Sequence, residues 1–123
     1  MPFSVNKVIL LGRLGADART SPGAEGGPAV TRFSVGTSYR RRAGGGEGYE
    51  SRTDWHDVAV WGAGGLAERL VKGARLYLEG RLFHASWKDA EGARHRRTEV
   101  VALPSAVILL DARPAARGAK QGS

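Results

Sequence analysis

The chain has 123 residues, 41% of them hydrophobic and 25% charged, and its 19 Lys and Arg against 12 Asp and Glu give a formal charge of +7. This length is enough for one domain and at most a short tail, and the positive charge favours a polyanionic partner, with nucleic acid ahead of an anionic membrane surface. Cysteine is absent, which excludes disulfides and thiolate chemistry, and the longest apolar runs, Val8–Leu11 and Val107–Leu110, are far too short to span a membrane. No secretory signal is predicted, because no basic segment precedes a long apolar one.

Alternation of apolar and polar residues predicts the first two strands. The first is predicted over Val5–Leu14, with a bulge or bend at Gly12. The second is predicted over Ala29–Tyr39, after a loop at Gly15–Pro28 that is rich in Gly, Pro, Ser and Asp.

The next stretch, Arg40–Ser51, contains three consecutive arginines and three consecutive glycines, and it predicts a long irregular hairpin loop. The third strand is predicted within Thr53–Gly62. Its two valines share one face, whereas Trp55 and Trp61 lie on the other. Taken alone, this stretch leaves two interpretations open: both faces are buried, or the indole rings face a ligand.

The second half of the chain predicts a short helix and two further strands. The helix is expected over Gly64–Gly73, because Leu66 and Leu70 stand four residues apart and the final glycine can end a helix. The fourth strand is expected over Ala74–Ala85, with a bend at Gly80.

The fifth strand is predicted over Arg96–Leu103 and is expected to stop at Pro104, although Val107–Leu110 could continue the sheet. Residues 1–110 are therefore predicted to form one domain, and 111–123 a short, basic, flexible tail. Five strands, with a helix between the third and fourth and glycines at bends, predict an all-β protein with a five-stranded OB-fold barrel. An SH3-like barrel is the main alternative.

Aromatic and basic residues follow one another along the chain: Tyr39 runs directly into Arg40–Arg42, and Trp87 is followed by Lys88. Aromatic faces stack on unpaired bases, and Lys and Arg neutralise phosphates. A duplex would instead require a groove-reading helix, for which the predicted helix is too short. The pattern favours single-stranded nucleic acid, while aromatics packed in a core and solvated arginines remain the alternative interpretation.

Catalytic and metal-binding patterns find little support. His56, His84 and His95 have no spacing typical of a metal site, and the glycine run lacks the Gly-Lys-Ser/Thr ending of a phosphate-binding loop. Asp54 and Asp57 flank His56, but alternation separates them onto opposite faces. We therefore expect no enzymatic activity, no metal and no cofactor.

With these residues in view, the sequence resembles the bacterial single-stranded DNA-binding protein family from about Val5 to Leu110. The stretches that carry the resemblance are Val5–Gly15, Phe33–Ser38, Thr53–Val58, Trp61–Gly62, Lys72–Gly73, Leu76–Leu82, Trp87 and Thr98–Val101.

The resemblance implies an OB-fold homotetramer that binds single-stranded DNA, is not an enzyme, and acts in the cytoplasm in association with the nucleoid. It assigns base stacking to Tyr39, Trp55, Trp61 and Trp87. It also implies that His56 and Tyr77 lie at subunit interfaces. The basic residues expected to contact the DNA backbone are Lys7, Arg13, Arg40, Arg41, Arg42, Lys72, Lys88, Arg94 and Arg96.

The sequence departs from the family pattern at Asp57 and Ala63, where a basic residue is frequent in the family. Phosphate contact is not expected at either position. Extra arginines at Arg94, Arg96 and Arg97 are expected to compensate.

A second departure concerns the C-terminal segment. Members of the family usually end in a long flexible tail with an acidic tip that recruits replication and repair enzymes. Residues 111–123 carry one acidic residue, Asp111, against Arg113, Arg117 and Lys120. Such a segment is repelled by a basic docking pocket, so recruitment of these enzymes is not expected, and the sequence is that of a truncated chain or of a short paralog.

Overall fold

The computed structural model describes residues 3–46 and 48–111, in which strands account for most of the chain. Two helical elements accompany them, a 3-10 turn at Ala24–Gly26 and the single-turn helix α1 at Leu66–Arg69. The strands are β1 (Val8–Leu14), β2 (Arg19–Ser21), β3 (Val30–Arg42), β4 (Tyr49–Trp61), β5 (Arg75–Lys88) and β6 (Arg94–Leu109).

Five of the six strands close into a barrel. The strand order is β1-β5-β6-β4-β3, and β1 pairs with β3 as well, through Arg13 opposite Gly36 and Leu14 opposite Val35. The β4–β6 pairing is parallel and the others are antiparallel, while β2 is a short strand added at the edge of β3. The closed five-stranded barrel predicted from the sequence is therefore confirmed.

The core is formed by the inward-facing aliphatic side chains of the five barrel strands. Leu70, which follows α1, is 1% exposed and joins this core, and Leu66 packs against it. The helix and the residue that follows it therefore pack against the barrel core through the two leucines that predicted the helix. The buried strand residues of the core are Leu10, Leu14, Phe33, Val35, Val58, Val60, Leu76, Leu78, Val100, Ala102 and Val107.

Gly12 permits the crossing of β1 and β3. A Cβ atom at this position would lie 2.1 Å from the carbonyl oxygen of Gly36, so no larger residue fits without moving the backbone. The close approach is where the barrel closes, which explains the glycine inside an apolar strand.

The predicted loop over Arg40–Ser51 is wrong in extent. Both strands of the hairpin continue through it, and the pairing runs without interruption from Val30 opposite Trp61 to Arg42 opposite Tyr49. A cross-strand ion pair supports the extension: the Glu50 carboxylate on β4 lies 3.4 Å from Arg41 Nε on β3, and it also lies 3.3 Å from Arg52 Nε on its own strand. The glycines occupy only the tip of the hairpin.

Other boundaries also differ from the prediction: β1 begins at Val8, β5 and β6 extend further into their hairpin, and the predicted loop at Gly15–Pro28 contains the short strand β2. The strand β6 passes through Pro104 because its pairing with β5 shifts register there, from Ala102 opposite Gly80 to Val107 opposite Leu78, so that no ladder hydrogen bond from the proline is required. The helix is shorter than Gly64–Gly73, because Leu70 leaves the helical conformation at φ −92° and ψ 81°.

Candidate nucleic-acid interface

Trp55 lies on the outer face of the barrel, supported by the backbone of two glycines. Its side chain is 58% exposed. A Cβ atom on Gly15 would lie 2.7 Å from the indole ring, and one on Gly36 would lie 2.8 Å from it. The ring therefore rests directly on main chain, which leaves one side of the indole as a flat exposed surface. The sequence analysis did not predict that Gly15 and Gly36 support Trp55. The feature of the sequence that could have indicated it was a glycine beside or within a predicted strand.

Trp61 lies on the same outer face, near the end of β4. Its side chain is 39% exposed, while Val58 and Val60 between the two tryptophans in sequence are fully buried. The indoles therefore lie at the surface opposite the buried valines, as predicted, although Ala59 on the tryptophan face is fully buried as well. The guanidinium carbon of Arg32, on the neighbouring strand β3, lies 6.0 Å from the Trp61 ring centroid, which is within the range of a cation–π contact.

Trp87 lies near the tip of the β5–β6 hairpin and is 44% exposed. His95, directly opposite on β6, stacks on it with 5.5 Å between ring centroids and 21° between planes. The guanidinium carbon of Arg97 lies 5.4 Å from the Trp87 centroid. His95 Nε2 lies 2.7 Å from the Asp89 carboxylate, and this contact lowers the pKa of Asp89, with the backbone N–H of Ala93 adding to the effect.

One buried carboxylate joins the two arginines that lie over tryptophan rings. Glu99 is 3% exposed, and its Oε2 atom lies 3.2 Å from Arg32 Nε and 3.7 Å from Arg97 Nε. The order Trp61, Arg32, Glu99, Arg97, Trp87 therefore forms a continuous series of contacts across β4, β3, β6 and β5. We call these five residues the aromatic–arginine row.

Grooves flank Trp55 on both sides. One has a volume of about 630 Å³ and connects Trp55 with Arg32, Arg97 and Glu99 of the aromatic–arginine row. The other has a volume of about 380 Å³ and connects Trp55 with Arg13 and Arg75. We call the surface formed by the aromatic–arginine row, Trp55, Arg13 and Arg75 the strand-binding face. Arg32 and Arg75 were missing from the predicted backbone contacts, whereas Arg97 had been predicted as a compensating arginine.

Tyr39 and the triple arginine lie in the distal half of the β3–β4 hairpin. Tyr39 pairs with Arg52, whereas Trp55 pairs with Gly36, so the alternation of β3 places Tyr39 and Trp55 on opposite faces. The structure therefore does not bring Tyr39 together with the three tryptophans, and its stacking role stays a prediction. Among the arginines, Arg40 lies 5.1 Å from the Tyr49 ring centroid.

The remaining predicted backbone contacts fall into separate places. Lys88 and Arg94 form a cross-strand pair at the tip of the β5–β6 hairpin, close in sequence to Trp87, and Arg96 pairs with Ser86 beside them. Lys72 lies in the turn after α1, where its backbone N–H donates to the Asp17 carboxylate. Lys7 lies on another side of the barrel, with its Nζ 3.2 Å from Glu79 Oε1.

A second outer surface is mainly aliphatic. Ile9, Leu11 and Ile108 are each more than half exposed, and Tyr77 on β5 lies between Leu11 on β1 and Ile108 on β6. Glu79, opposite Ile9, closes one end of this patch. We call these five residues the aliphatic face.

Tyr77 and Glu79 are coupled by a hydrogen bond. The Tyr77 hydroxyl donates to Glu79 Oε2 at 2.7 Å. This bond raises the pKa of Tyr77 and lowers the pKa of Glu79, to which Lys7 also contributes. His56, the other predicted interface residue, is half-buried elsewhere, with Nε2 2.8 Å from Thr37 Oγ1.

Two further observations concern the classes of site and membrane association. Within residues 3–46 and 48–111, no group of three or more His, Cys, Asp or Glu side chains could hold a metal ion. Across the same residues, none of the helices has the length and apolar character needed to cross a membrane.

Comparisons with known proteins point to one family. The sequence model of the Single-strand binding protein family matches residues 5–107. A single-stranded DNA-binding protein from Rhizobium meliloti is 39% identical over 119 residues, which cover 92% of this chain and 67% of the relative. Its counterpart in Xanthomonas axonopodis pv. citri is 38% identical over 104 residues, or 83% of this chain and 57% of the relative. The chain therefore spans little more than half of the Xanthomonas protein.

Structural comparison agrees with the sequence comparison. The chain superposes on a solved structure described as Plasmodium falciparum SSB complex with ssDNA, with a TM-score of 0.75 and 28% sequence identity. The match covers 90% of this chain and 99% of that one. Together with the closed five-stranded barrel, this likeness confirms the OB-fold that the strand order predicted.

Proposed function

The chain belongs to the single-strand binding protein family, and we propose that it binds and protects single-stranded DNA with little sequence preference. By coating the strand it would remove secondary structure during replication, repair, recombination or transformation. The observation that carries the proposal is the strand-binding face, on which three exposed tryptophans alternate with arginines around two grooves.

The chemistry of this face suits unpaired bases. Trp55, Trp61 and Trp87 each present an exposed ring on which a base can stack, and stacking of this kind contributes roughly 1–3 kcal/mol per base. Every base has a flat π-face, so the contact tolerates any sequence. Arg13 and Arg75 in one groove, with Arg32 in the other, place positive charge where the phosphates of a stacked strand would run.

A duplex fits this surface poorly. Base reading in the major groove needs an inserted helix or ribbon, and α1 is a single turn whose Leu66 packs against the core. Unpaired bases, by contrast, can reach rings that lie flat on the barrel. We therefore propose single-stranded DNA rather than duplex as the ligand.

The direct test is a titration with oligo-dT while tryptophan fluorescence is followed. Stacking on the three indoles predicts strong quenching that saturates, with little change when oligo-dC replaces oligo-dT. A duplex of the same length serves as the control and should bind much more weakly. Oligo-U measures the preference against RNA, because stacking alone does not read the 2′-hydroxyl. Absence of quenching and of binding by an independent method would contradict the proposal.

We further propose that the chain acts without catalysis. The rival function from a different class is a small nuclease. Incubation of single-stranded DNA with the protein and magnesium tests this rival, and we expect the DNA to remain intact. Shortened DNA that disappears together with the protein on heat inactivation would support the nuclease.

The proposed assembly is a homotetramer. The aliphatic face supports association, because contiguous exposed apolar patches on soluble proteins usually mark contact surfaces. Tyr77 lies within this face, as expected of an interface residue, and its position opposite Leu11 is compatible with burial against a second copy. The main rival among binding proteins is a primosomal OB protein, which is usually dimeric. Light scattering at micromolar concentration separates four copies from two.

The division into a domain at 1–110 and a tail at 111–123 remains a proposal. Asp111 still contacts the barrel, because its Oδ2 accepts a hydrogen bond from the backbone N–H of Arg75 at 2.9 Å. Residues 112–123 lie outside the described residues. A pull-down with a tail-binding helicase or exonuclease tests the expected failure to recruit partner enzymes, and capture that requires residues 112–123 would contradict it.

A further inference from the structure

We propose that Glu99 is a positioning residue for strand binding, an inference that rests on the function proposed above. Its carboxylate holds the guanidinium groups of Arg32 and Arg97 beside the Trp61 and Trp87 rings. In this arrangement a phosphate next to a stacked base meets an arginine already in place. Glu99 itself lies below the surface, so it acts through the two arginines and does not contact the DNA.

The atoms in contact show how an arginine can be held by Glu99 and still bind a phosphate. Both contacts to the Glu99 Oε2 atom come from Nε atoms, at 3.2 Å from Arg32 and 3.7 Å from Arg97. Nε makes this contact in both arginines, as a hydrogen bond from Arg32 and as a longer ion pair from Arg97, and each guanidinium has two further terminal nitrogens. Because the arginine side chains are 41% and 43% exposed, those nitrogens can reach a phosphate while Nε remains held.

The burial of Glu99 makes the restraint effective. At 3% exposure the carboxylate cannot exchange its partners for water, and removing one partner would leave a buried charge poorly compensated. Two long side chains that are otherwise rich in rotamers are therefore ordered before DNA arrives. Ordering in advance strengthens binding because less conformational freedom is lost in the complex.

The chain contains a matched control for this arrangement. Glu50, in the β3–β4 hairpin, also accepts contacts from two arginine Nε atoms, those of Arg41 and Arg52. Its side chain is 38% exposed. Glu50→Gln therefore removes the same charge from the same type of contact, but at a site where water already competes for the carboxylate.

The experiment measures the affinity for oligo-dT over a range of salt concentrations for the parent, Glu99→Gln and Glu50→Gln. Loss of a negative charge alone should strengthen binding of a polyanion equally in both variants. If Glu99 positions the arginines, Glu99→Gln should instead bind about 5- to 10-fold more weakly, because an arginine that must be ordered on binding gains too little from a phosphate to keep that contact. Its salt slope should also be shallower by about 0.7 to 1.4, corresponding to one or two lost phosphate contacts.

A second variant keeps the test decisive if Glu99→Gln fails to fold. Arg32→Lys combined with Arg97→Lys preserves every charge and leaves Glu99 intact, but lysine has no Nε fork with which to be held while binding a phosphate. We expect the same loss of affinity and the same shallower slope.

The outcomes separate this inference from the function on which it rests. If the parent binds oligo-dT and both the Glu99 and the double-lysine variants retain its affinity and slope, Glu99 has no positioning role. If the folded parent itself fails to bind oligo-dT, the proposed function is overturned and this inference falls with it. Weaker binding by Glu99→Gln at an unchanged salt slope would show a purely structural role and would also overturn the inference.

Discussion

The strand-binding face and the aliphatic face are both made of outward positions on the same barrel strands, yet they are built for different partners. The first combines large rings with guanidinium groups: Trp61 lies near Arg32, and Trp87 near Arg97. The second combines Ile9, Leu11 and other apolar side chains with a single ion pair at its end. A solvent-exposed indole ring beside a guanidinium group can still bind single-stranded DNA, because the ring stacks on bases and the guanidinium contacts phosphates.

A solvent-exposed aliphatic side chain cannot bind DNA in this way. Its burial is favourable only against another apolar surface. The contrast indicates that DNA and a second copy of the chain can bind at the same time, on different faces. It also predicts that substitutions on one face should affect one property and spare the other, except at Leu11, which also lines the groove with Trp55 and Arg13. The following predictions test this separation, from the largest expected effect to the smallest.

The largest effect is expected on the assembly, from a charge introduced on the aliphatic face beside Tyr77. Leu11→Glu should dissociate the assembly, because a two-fold contact would bring two like charges together at a cost of several kcal/mol. The barrel should remain folded, since Leu11 is 54% exposed. Light scattering reports the mass and circular dichroism the fold. Leu103→Glu, at a residue that is 70% exposed on another part of β6, is the control.

A tetramer that survives Leu11→Glu would show that the aliphatic face is not a subunit interface. Leu11 also lines the groove that contains Trp55 and Arg13, so Leu11→Glu is itself expected to weaken binding of oligo-dT. Ile108→Glu, on the other side of Tyr77, tests the separation, and its binding per barrel should change little if the two faces act separately. A loss of binding as large as that caused by removing a tryptophan would instead link the faces.

The next effect concerns the rings themselves. Trp55→Ala and Trp87→Ala should each weaken binding of oligo-dT by roughly 1–3 kcal/mol, without changing the mass of the assembly. Both side chains are about half exposed, so unfolding is not expected. Fluorescence polarisation with a labelled strand avoids dependence on the indole signal. A folded double variant with parental affinity would remove stacking from the mechanism.

Tyr39 offers a comparison within the same experiment. The sequence predicts stacking there, but the structure places Tyr39 on the opposite face of the hairpin from Trp55. If the bound DNA stays on the strand-binding face, Tyr39→Ala should weaken binding of oligo-dT much less than Trp55→Ala. Equal losses would mean that the DNA continues around the hairpin.

A smaller effect should follow from disturbing the support beneath Trp55. The methyl group of Gly15→Ala would lie 2.7 Å from the indole ring and push it outward. We expect a loss of about 1 kcal/mol, the lower end of a stacking contribution. Gly44→Ala is the matched control, because nothing lies within 4 Å of a Cβ atom at that position. Parental affinity in Gly15→Ala would indicate that the ring does not need its glycine platform.

The limits of sequence reasoning are visible in these same residues. Alternation correctly placed Trp55 and Trp61 opposite the buried valines, because it depends only on the period of a strand. It could not show that Gly15 and Gly36 lie under Trp55, since that contact joins three parts of the chain. It also missed Glu99, a charged residue at an outward position that becomes buried only when Arg32 and Arg97 cover it.

The errors in strand length have an equally local cause. Glycine content predicted a loop where the strands of the hairpin continue and Arg41 pairs with Glu50 across them. A proline predicted a stop at Pro104, where a register shift removes the need for its missing N–H. Composition reports the preferences of single residues, whereas both outcomes depend on partners across the strand pair.

A further prediction concerns how the affinity for DNA depends on salt concentration. Log affinity should fall with log salt at a slope of about −0.7 per contacted phosphate, and Arg13→Ala and Arg75→Ala should each make the slope shallower by about that amount. Lys7→Ala is the comparison on the other side of the barrel, where Lys7 pairs with Glu79. The sequence predicts a phosphate contact for Lys7, but its location leads us to expect a smaller change. An equal change in slope would extend the DNA path to the aliphatic face.

The smallest effect concerns how the stability of the fold depends on pH. It compares Glu79, on the aliphatic face, with Asp89, which contacts His95 beside Trp87. The Tyr77 hydroxyl, followed by Lys7, lowers the pKa of Glu79, and His95 lowers the pKa of Asp89. A carboxyl group with a lowered pKa stabilises the fold above its ordinary pKa, and this contribution is lost as the pH falls through the lowered value. Glu79→Gln and Asp89→Asn should therefore reduce thermal stability slightly at neutral pH, and both differences from the parent should vanish in strong acid.

Binding distinguishes the two carboxyl groups where stability does not. Asp89 holds His95, which stacks on Trp87, so Asp89→Asn should also weaken binding of oligo-dT at neutral pH. Glu79 has no contact with the strand-binding face, so Glu79→Gln should leave that affinity unchanged while altering the end of the aliphatic face. Thermal unfolding followed by circular dichroism and oligo-dT titration on the same samples measure both properties. Equal losses of affinity in the two variants would mean that the faces are coupled through the barrel, because neither substitution reaches the other face directly.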